Sequence, residues 1–149
     1  MKHVILIAIL AFLSSVVFAE GEGIVKLKSK YSVNETIDRV ESVAKAKGFR
    51  IWVREDFKKM GEKINLTIKP NQLLIFGKGR GGPKLISVSP TTSLDLPLRV
   101  IAYEDENGQV WAAYTTPDYW KMRHNIKGKD KVIGNINNIL KSITSEALK

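Results

Sequence analysis

Apolar and polar residues alternate with period two over Gly23–Ser29, where Val25 and Leu27 are interleaved with Lys26 and Lys28. This predicts a strand with one wet face. The period then lengthens: Val33, Ile37, Val40 and Ala44, joined by Val43, form one stripe at helical spacing. A helix is expected over residues 33–47, with Ser32 as N-cap, Glu35 three positions on and Gly48 as the left-handed cap. Alternation resumes at Phe49, Ile51 and Val53, a second strand, and Asp56–Lys63 predicts a short helical turn ending near Gly61. Ile64–Ile68 is expected to be a strand closed by Pro70. Leu73–Phe76 is too apolar for an edge and is expected in the middle of a sheet, with Lys84–Val88 as a further strand. Leu98–Tyr103 and Gln109–Tyr114 flank Asn107-Gly108, a pair that favours a tight hairpin. Val132, Ile133, Ile136, Ile139, Leu140 and Ile143 share one face of a final helix over residues 130–147. Strands between two helices predict an α+β fold with both helices packed on one face of a curved antiparallel sheet.

The first 19 residues follow a different pattern. Lys2 and His3 precede the nearly unbroken apolar run Val4–Phe18, and Val17-Phe18-Ala19 fits a signal-peptidase site. The run is interrupted by Ser14-Ser15 and falls short of the roughly 20 apolar residues of a membrane span. A cleaved leader over residues 1–19 is therefore expected, with a single domain over residues 20–149. The mature domain is expected in the periplasm or outside the cell, and not spanning a membrane. Removing 19 of the 149 residues leaves 130, enough for one core, and losing Lys2 lowers the net charge from +9 to +8. Such a balance attracts anionic partners, or describes a solvated lysine-rich surface. The chain has no cysteine, which excludes disulfides, thiolate metal sites and a thiol nucleophile.

Few residues are candidates for chemistry. Gly77-Lys78-Gly79-Arg80-Gly81-Gly82 can wrap an anion with backbone N–H groups and two cations, or form a mobile connector. It lacks the Gly-Lys-Ser/Thr of a P-loop. Asp95 stands between Leu94 and Leu96. If Leu94, Leu96 and Leu98 point inward, Asp95 shares the other face with Arg99 and can pair with it. The alternatives are a carboxylate at a pocket mouth and an aspartate accepting backbone N–H bonds where Pro97 fixes the strand entrance. His124, the one histidine after the leader, is a hydrogen-bonded structural residue or an acid–base group beside Asp95. A lone imidazole without thiols is a poor start for a metal site. Trp111, Tyr114, Tyr119 and Trp120 cluster with Lys121 and Arg123, but an exported chain is not expected to meet nucleic acid. The candidate ligand-binding set is thus Gly77, Lys78, Arg80, Gly81, Asp95, Arg99, Tyr114 and His124, with no catalytic residue, metal or cofactor assigned. The expected partner is a small or anionic ligand. Protein–protein association, including a homodimer through the aromatic patch, and an enzyme with an acid–base site near Asp95 and His124 are the alternatives.

Pro70, Leu73, Phe76-Gly77, Leu94-Asp95-Leu96-Pro97-Leu98, Glu104-Asp105, Gly108, Val110-Trp111, Tyr114, Pro117, Tyr119 and Arg123-His124 stand in a shared order and spacing. With Ser32-Val33, Glu35-Thr36 and Gly48-Phe49 they give the chain a pattern that resembles the DUF302 family, small domains whose biochemical role is not established. The resemblance implies a β-α-β-β-β-β-α domain with a TBP-like curved sheet. The chain departs from that pattern at Glu55-Asp56-Phe57, where the family usually has Ile-Asp-His. It departs again at Gly77–Pro83, where the family favours Gly-Asn-Pro-Lys.

Overall fold

The helix over Val33–Ala46 (α1) begins where its cap chemistry directs. The Ser32 side chain accepts the Glu35 N–H at 3.2 Å. It ends in a Schellman arrangement, with Phe49 N–H bonded to Ala44 O at 3.0 Å, Gly48 N–H to Lys45 O at 2.8 Å, and Gly48 at φ 76°. The computed structural model describes the backbone of Phe18–Ala19 and all of residues 23–149. The leader expected over residues 1–19 therefore lies outside the described residues, apart from the backbone of that dipeptide.

Among the described residues, six antiparallel strands form the sheet: β1 (Phe18–Ala19), β2 (Ile24–Ser29), β3 (Arg50–Asp56), β4 (Asn71–Gly77), β5 (Leu98–Glu104) and β6 (Val110–Thr115). Their spatial order is β1-β2-β6-β5-β4-β3, an open sheet of five longer strands with the two-residue β1 at one edge. Leu74, Phe76, Val100, Ala102 and Ala112 bury the inner face against α1 and the long helix Asp130–Ala147 (α5). The α+β architecture with two principal helices on one face matches the pattern expected from the sequence. Short helices fill the connections: α2 (Phe57–Glu62), α3 (Gly82–Ile86), a 3₁₀ turn at Pro90–Leu94, and α4 (Pro117–Arg123). Among the described residues, no helix is long and apolar enough to cross a membrane.

Several local expectations are corrected. Residues 64–68 are not a strand: Asn65 takes φ 56°, and Ile64 and Leu66 stay 71% and 53% exposed, so the chain hooks away from the edge strand β3. Residues 84–88 are not a strand either. Because β4 and β5 pair directly, no slot exists between them, and Pro83 stands in the first turn of α3, which buries Leu85. The β5–β6 turn uses a left-handed conformation at Gly108 alone, while Asn107 keeps negative φ. Asp105 holds this turn, its carboxylate accepting the N–H groups of Asn107 and Gln109 and the Trp111 indole.

Between α1 and the β3–β4 edge, Arg54 donates to Asp38 at 2.5 Å, Asn34 at 3.0 Å, Gln72 at 2.8 Å and Glu41 at 3.3 Å. The hydrogen bond and charge of Lys45, then the hydrogen bond and charge of Arg54, hold the Glu41 carboxyl below its ordinary range despite partial desolvation. A depressed acid contributes stability above its unfolded pKa and loses it as pH falls through the folded value. Glu41→Gln should therefore flatten the acid side of the stability curve by up to about 1 kcal/mol. Urea midpoints compared at neutral pH and at about pH 3 test this, and equal acid sensitivity of native and variant would contradict it.

Candidate functional site

A cavity opens where the glycine-rich loop leaves β4. Its volume is about 600 Å³. One wall comes from Phe49 and Trp52 at the start of β3. A second is the loop Gly77–Pro83 with Ile86 of α3, a third is Ser93 with Leu96–Leu98, and the floor carries Ile136 and Ile139 of α5. The walls are predominantly apolar, and Lys78 and Arg80 are their charged members. A would-be Cβ on Gly82 lies 3.3 Å from Leu96 Cδ1, and one on Gly81 lies 3.4 Å from Ile136 Cδ1. The loop backbone thus lies close to its apolar neighbours, and a side chain at Gly82 would press on Leu96.

The two loop cations behave differently. Lys78 lies back over the C-terminal end of α1, where its Nζ donates to Lys47 O at 2.6 Å and stands 5.3 Å from the Phe49 ring. That placement satisfies an orphan helix carbonyl and suits the negative end of the dipole. Arg80 is exposed and makes no ion pair or side-chain hydrogen bond among the described residues.

The eight expected site residues divide into three groups. Gly77, Lys78, Arg80 and Gly81 line the cavity. Asp95, Arg99 and His124 lie outside the cavity lining; Asp95 meets His124, and the pairing expected between Asp95 and Arg99 does not form. The 3₁₀ turn ends at Asp95, so the run Leu94–Leu98 does not alternate as a strand. Leu94 is 63% exposed, Leu98 is buried, and Arg99 turns back to donate to Leu94 O at 3.0 Å. Asp95 instead meets His124 Nε2 at 2.5 Å and Arg123 Nη1 at 3.2 Å. The backbone N–H bonds expected to hold it are replaced by these side-chain donors. An ionised carboxylate only accepts, so Nε2 carries the proton, and Nδ1 faces the Thr91 hydroxyl at 3.1 Å. The His124 side chain is 3% exposed, and its carbonyl accepts Ser89 Oγ–H at 2.8 Å. This arrangement clamps the segment 89–95 onto α4, and so fixes the Ser93–Leu98 wall of the cavity.

Tyr114 belongs to the core. Burial pushes its phenol above the ordinary range, opposed by a hydrogen bond with Thr144 of α5. Trp120 is also buried, its indole donating to Thr115 Oγ1 at 3.0 Å. Trp111 points from the opposite side of β6, with Lys26 Nζ 5.0 Å from its ring, so the expected aromatic cluster is divided between the core and the other face of the sheet. Sequence reasoning missed the cavity walls Phe49, Trp52, Leu96, Ile136 and Ile139, which in sequence look like ordinary strand and helix apolar positions. No three His, Asp or Glu side chains among the described residues gather to hold a metal ion.

The family model described as "Domain of unknown function DUF302" matches residues 25–143, from β2 to the last turns of α5. The chain belongs to the DUF302 family. A solved DUF302 structure, that of an uncharacterized conserved protein from Bacillus stearothermophilus, superposes with a TM-score of 0.76 at 16% identity. That match covers 85% of this chain and 99% of the other, and it shows the shared fold. Two curated relatives are 36% identical over 104 residues, each named Fluoride-specific ion channel FluC 1. One is from Brucella suis biovar 1 (strain 1330) and the other from Brucella abortus biovar 1 (strain 9-941). The match covers 70% of this DUF302 chain but 41% and 38% of theirs, so the chain spans about two-fifths of the relatives' length.

Proposed function

We propose that this DUF302 domain is a non-enzymatic binding module that takes a small ligand with a substantial apolar body into the cavity beneath the Gly77–Pro83 loop. The observation that carries the proposal is the cavity itself. Its volume of about 600 Å³ lies within the usual range of small-molecule sites, roughly 300–1,000 Å³. Its predominantly apolar walls, drawn from β3, β5, α3 and α5, favour a ligand that buries apolar surface there, out of contact with water. The Asp95–His124 contact supports the same reading as a brace, since the imidazole is enclosed and both nitrogens are engaged. Ion conduction is a property named for the longer relatives and is not part of this proposal.

A neutral fluorescent probe, N-phenyl-1-naphthylamine, should brighten on titration with the domain. Gly82→Leu directs a side chain at Leu96 from a position without positive φ, and should occupy the cavity. Probe affinity should then fall by about tenfold or more, the loss of one well-buried apolar contact area. Thermal melting should show that the variant remains folded. Undiminished probe binding by folded Gly82→Leu would remove the cavity from the functional account.

A further inference from the structure

We propose that the ligand is a monoanionic amphiphile, an apolar chain or ring system ending in a carboxylate or similar oxyacid, and that Arg80 holds the charged end. The proposal rests on the cavity being the ligand site. Apolar walls cannot compensate a buried charge, so an ionic group on the ligand belongs at the rim. The rim has two cations, and Lys78 is already engaged by Lys47 O and the Phe49 ring. Arg80 has no such engagement among the described residues. Gly79 and Gly81 flank it, and Gly79 takes φ 72°, a backbone conformation glycine adopts without strain. No aspartate or glutamate lines the cavity. A cationic headgroup therefore finds no partner, while an oxyacid finds a planar donor able to bind both oxygens. Trp52, 56% exposed at the same rim, offers a flat surface beside the loop and a fluorescent reporter.

Isothermal titration with decanoate, decanol and decylamine separates the two layers of the argument. Decanoate should bind at least about tenfold more tightly than decanol, the scale of one charge-assisted contact, with decylamine the weakest. Arg80→Gln should reduce decanoate to the affinity of decanol without changing decanol, whereas Lys78→Gln should preserve the preference. Equal affinity for decanoate and decanol, or a preference that survives Arg80→Gln, would overturn the role of Arg80 and leave the cavity reading standing. Failure of both decanoate and decanol to bind would overturn both. The anion's source is read from sedimentation with phosphatidylglycerol vesicles. Retention lost in Arg80→Gln assigns it to a lipid headgroup, and no retention beside tight decanoate binding assigns it to a free acid.

Discussion

Phe76→Ala should lower the unfolding free energy by about 3–5 kcal/mol, the usual loss for a buried aromatic truncated to alanine. Phe76 is 0% exposed on β4, which is paired on both sides and carries the inner face against α1. Its ring meets Phe49 edge-on, with centroids 5.7 Å apart and planes at 86°. This geometry adds to simple area burial. The chain has no cysteine, so no disulfide offsets the loss. Phe49 also walls the cavity, so removing its support should weaken probe binding as well. Urea midpoints give the measurement, with Leu94→Ala as the comparison. Leu94 is 63% exposed in the 3₁₀ turn, and its truncation should change stability by no more than about 0.5 kcal/mol. Similar losses in the two variants would show that the inner face is assigned wrongly.

His124→Ala should cost about 2–4 kcal/mol, combining a small cavity with hydrogen-bond partners left behind. Its imidazole joins Thr91 to Asp95, and Asp95 would keep only Arg123, whose side chain is 47% exposed. The segment from Ser89 to Asp95 would lose its main lateral tether, and the adjoining Leu96–Leu98 wall would loosen. Probe affinity should fall together with stability. Arg99→Ala provides the contrast, because it removes one exposed bond to Leu94 O and should leave both quantities nearly unchanged. A stable His124→Ala with full affinity would show that the clamp does not position the wall.

The elements legible in the sequence are those fixed by interactions within a turn or two of chain. α1 lies where Ser32 and Gly48 bracket a helical stripe, and α5 matches the expected span because Ile133, Ile136, Leu140 and Ile143 lie on one face. Caps and periodicity act locally, so one stretch of sequence suffices to place them. The helix α4 was legible in principle, since Thr116 caps it and Pro117 opens its first turn, but its short apolar pattern gave little weight. The glycine-rich loop also declared itself, and its residues Gly77, Lys78, Arg80 and Gly81 do line the cavity.

What the sequence did not contain was the list of distant partners. Alternation made Lys84–Val88 and Leu94–Leu98 look extended, yet direct β4–β5 pairing leaves the first no place in the sheet, and a 3₁₀ turn ends at Asp95 in the second. Asp95 looked like a neighbour of Arg99 four residues on, but its partner is His124, 29 residues away. The cavity is of the same kind: Phe49, Leu96 and Ile136 are unremarkable apolar residues until strand order and helix docking bring them round the same space. Periodicity determines which face of an element is buried, whereas what that face is buried against depends on chain-distant packing that only the tertiary structure decides.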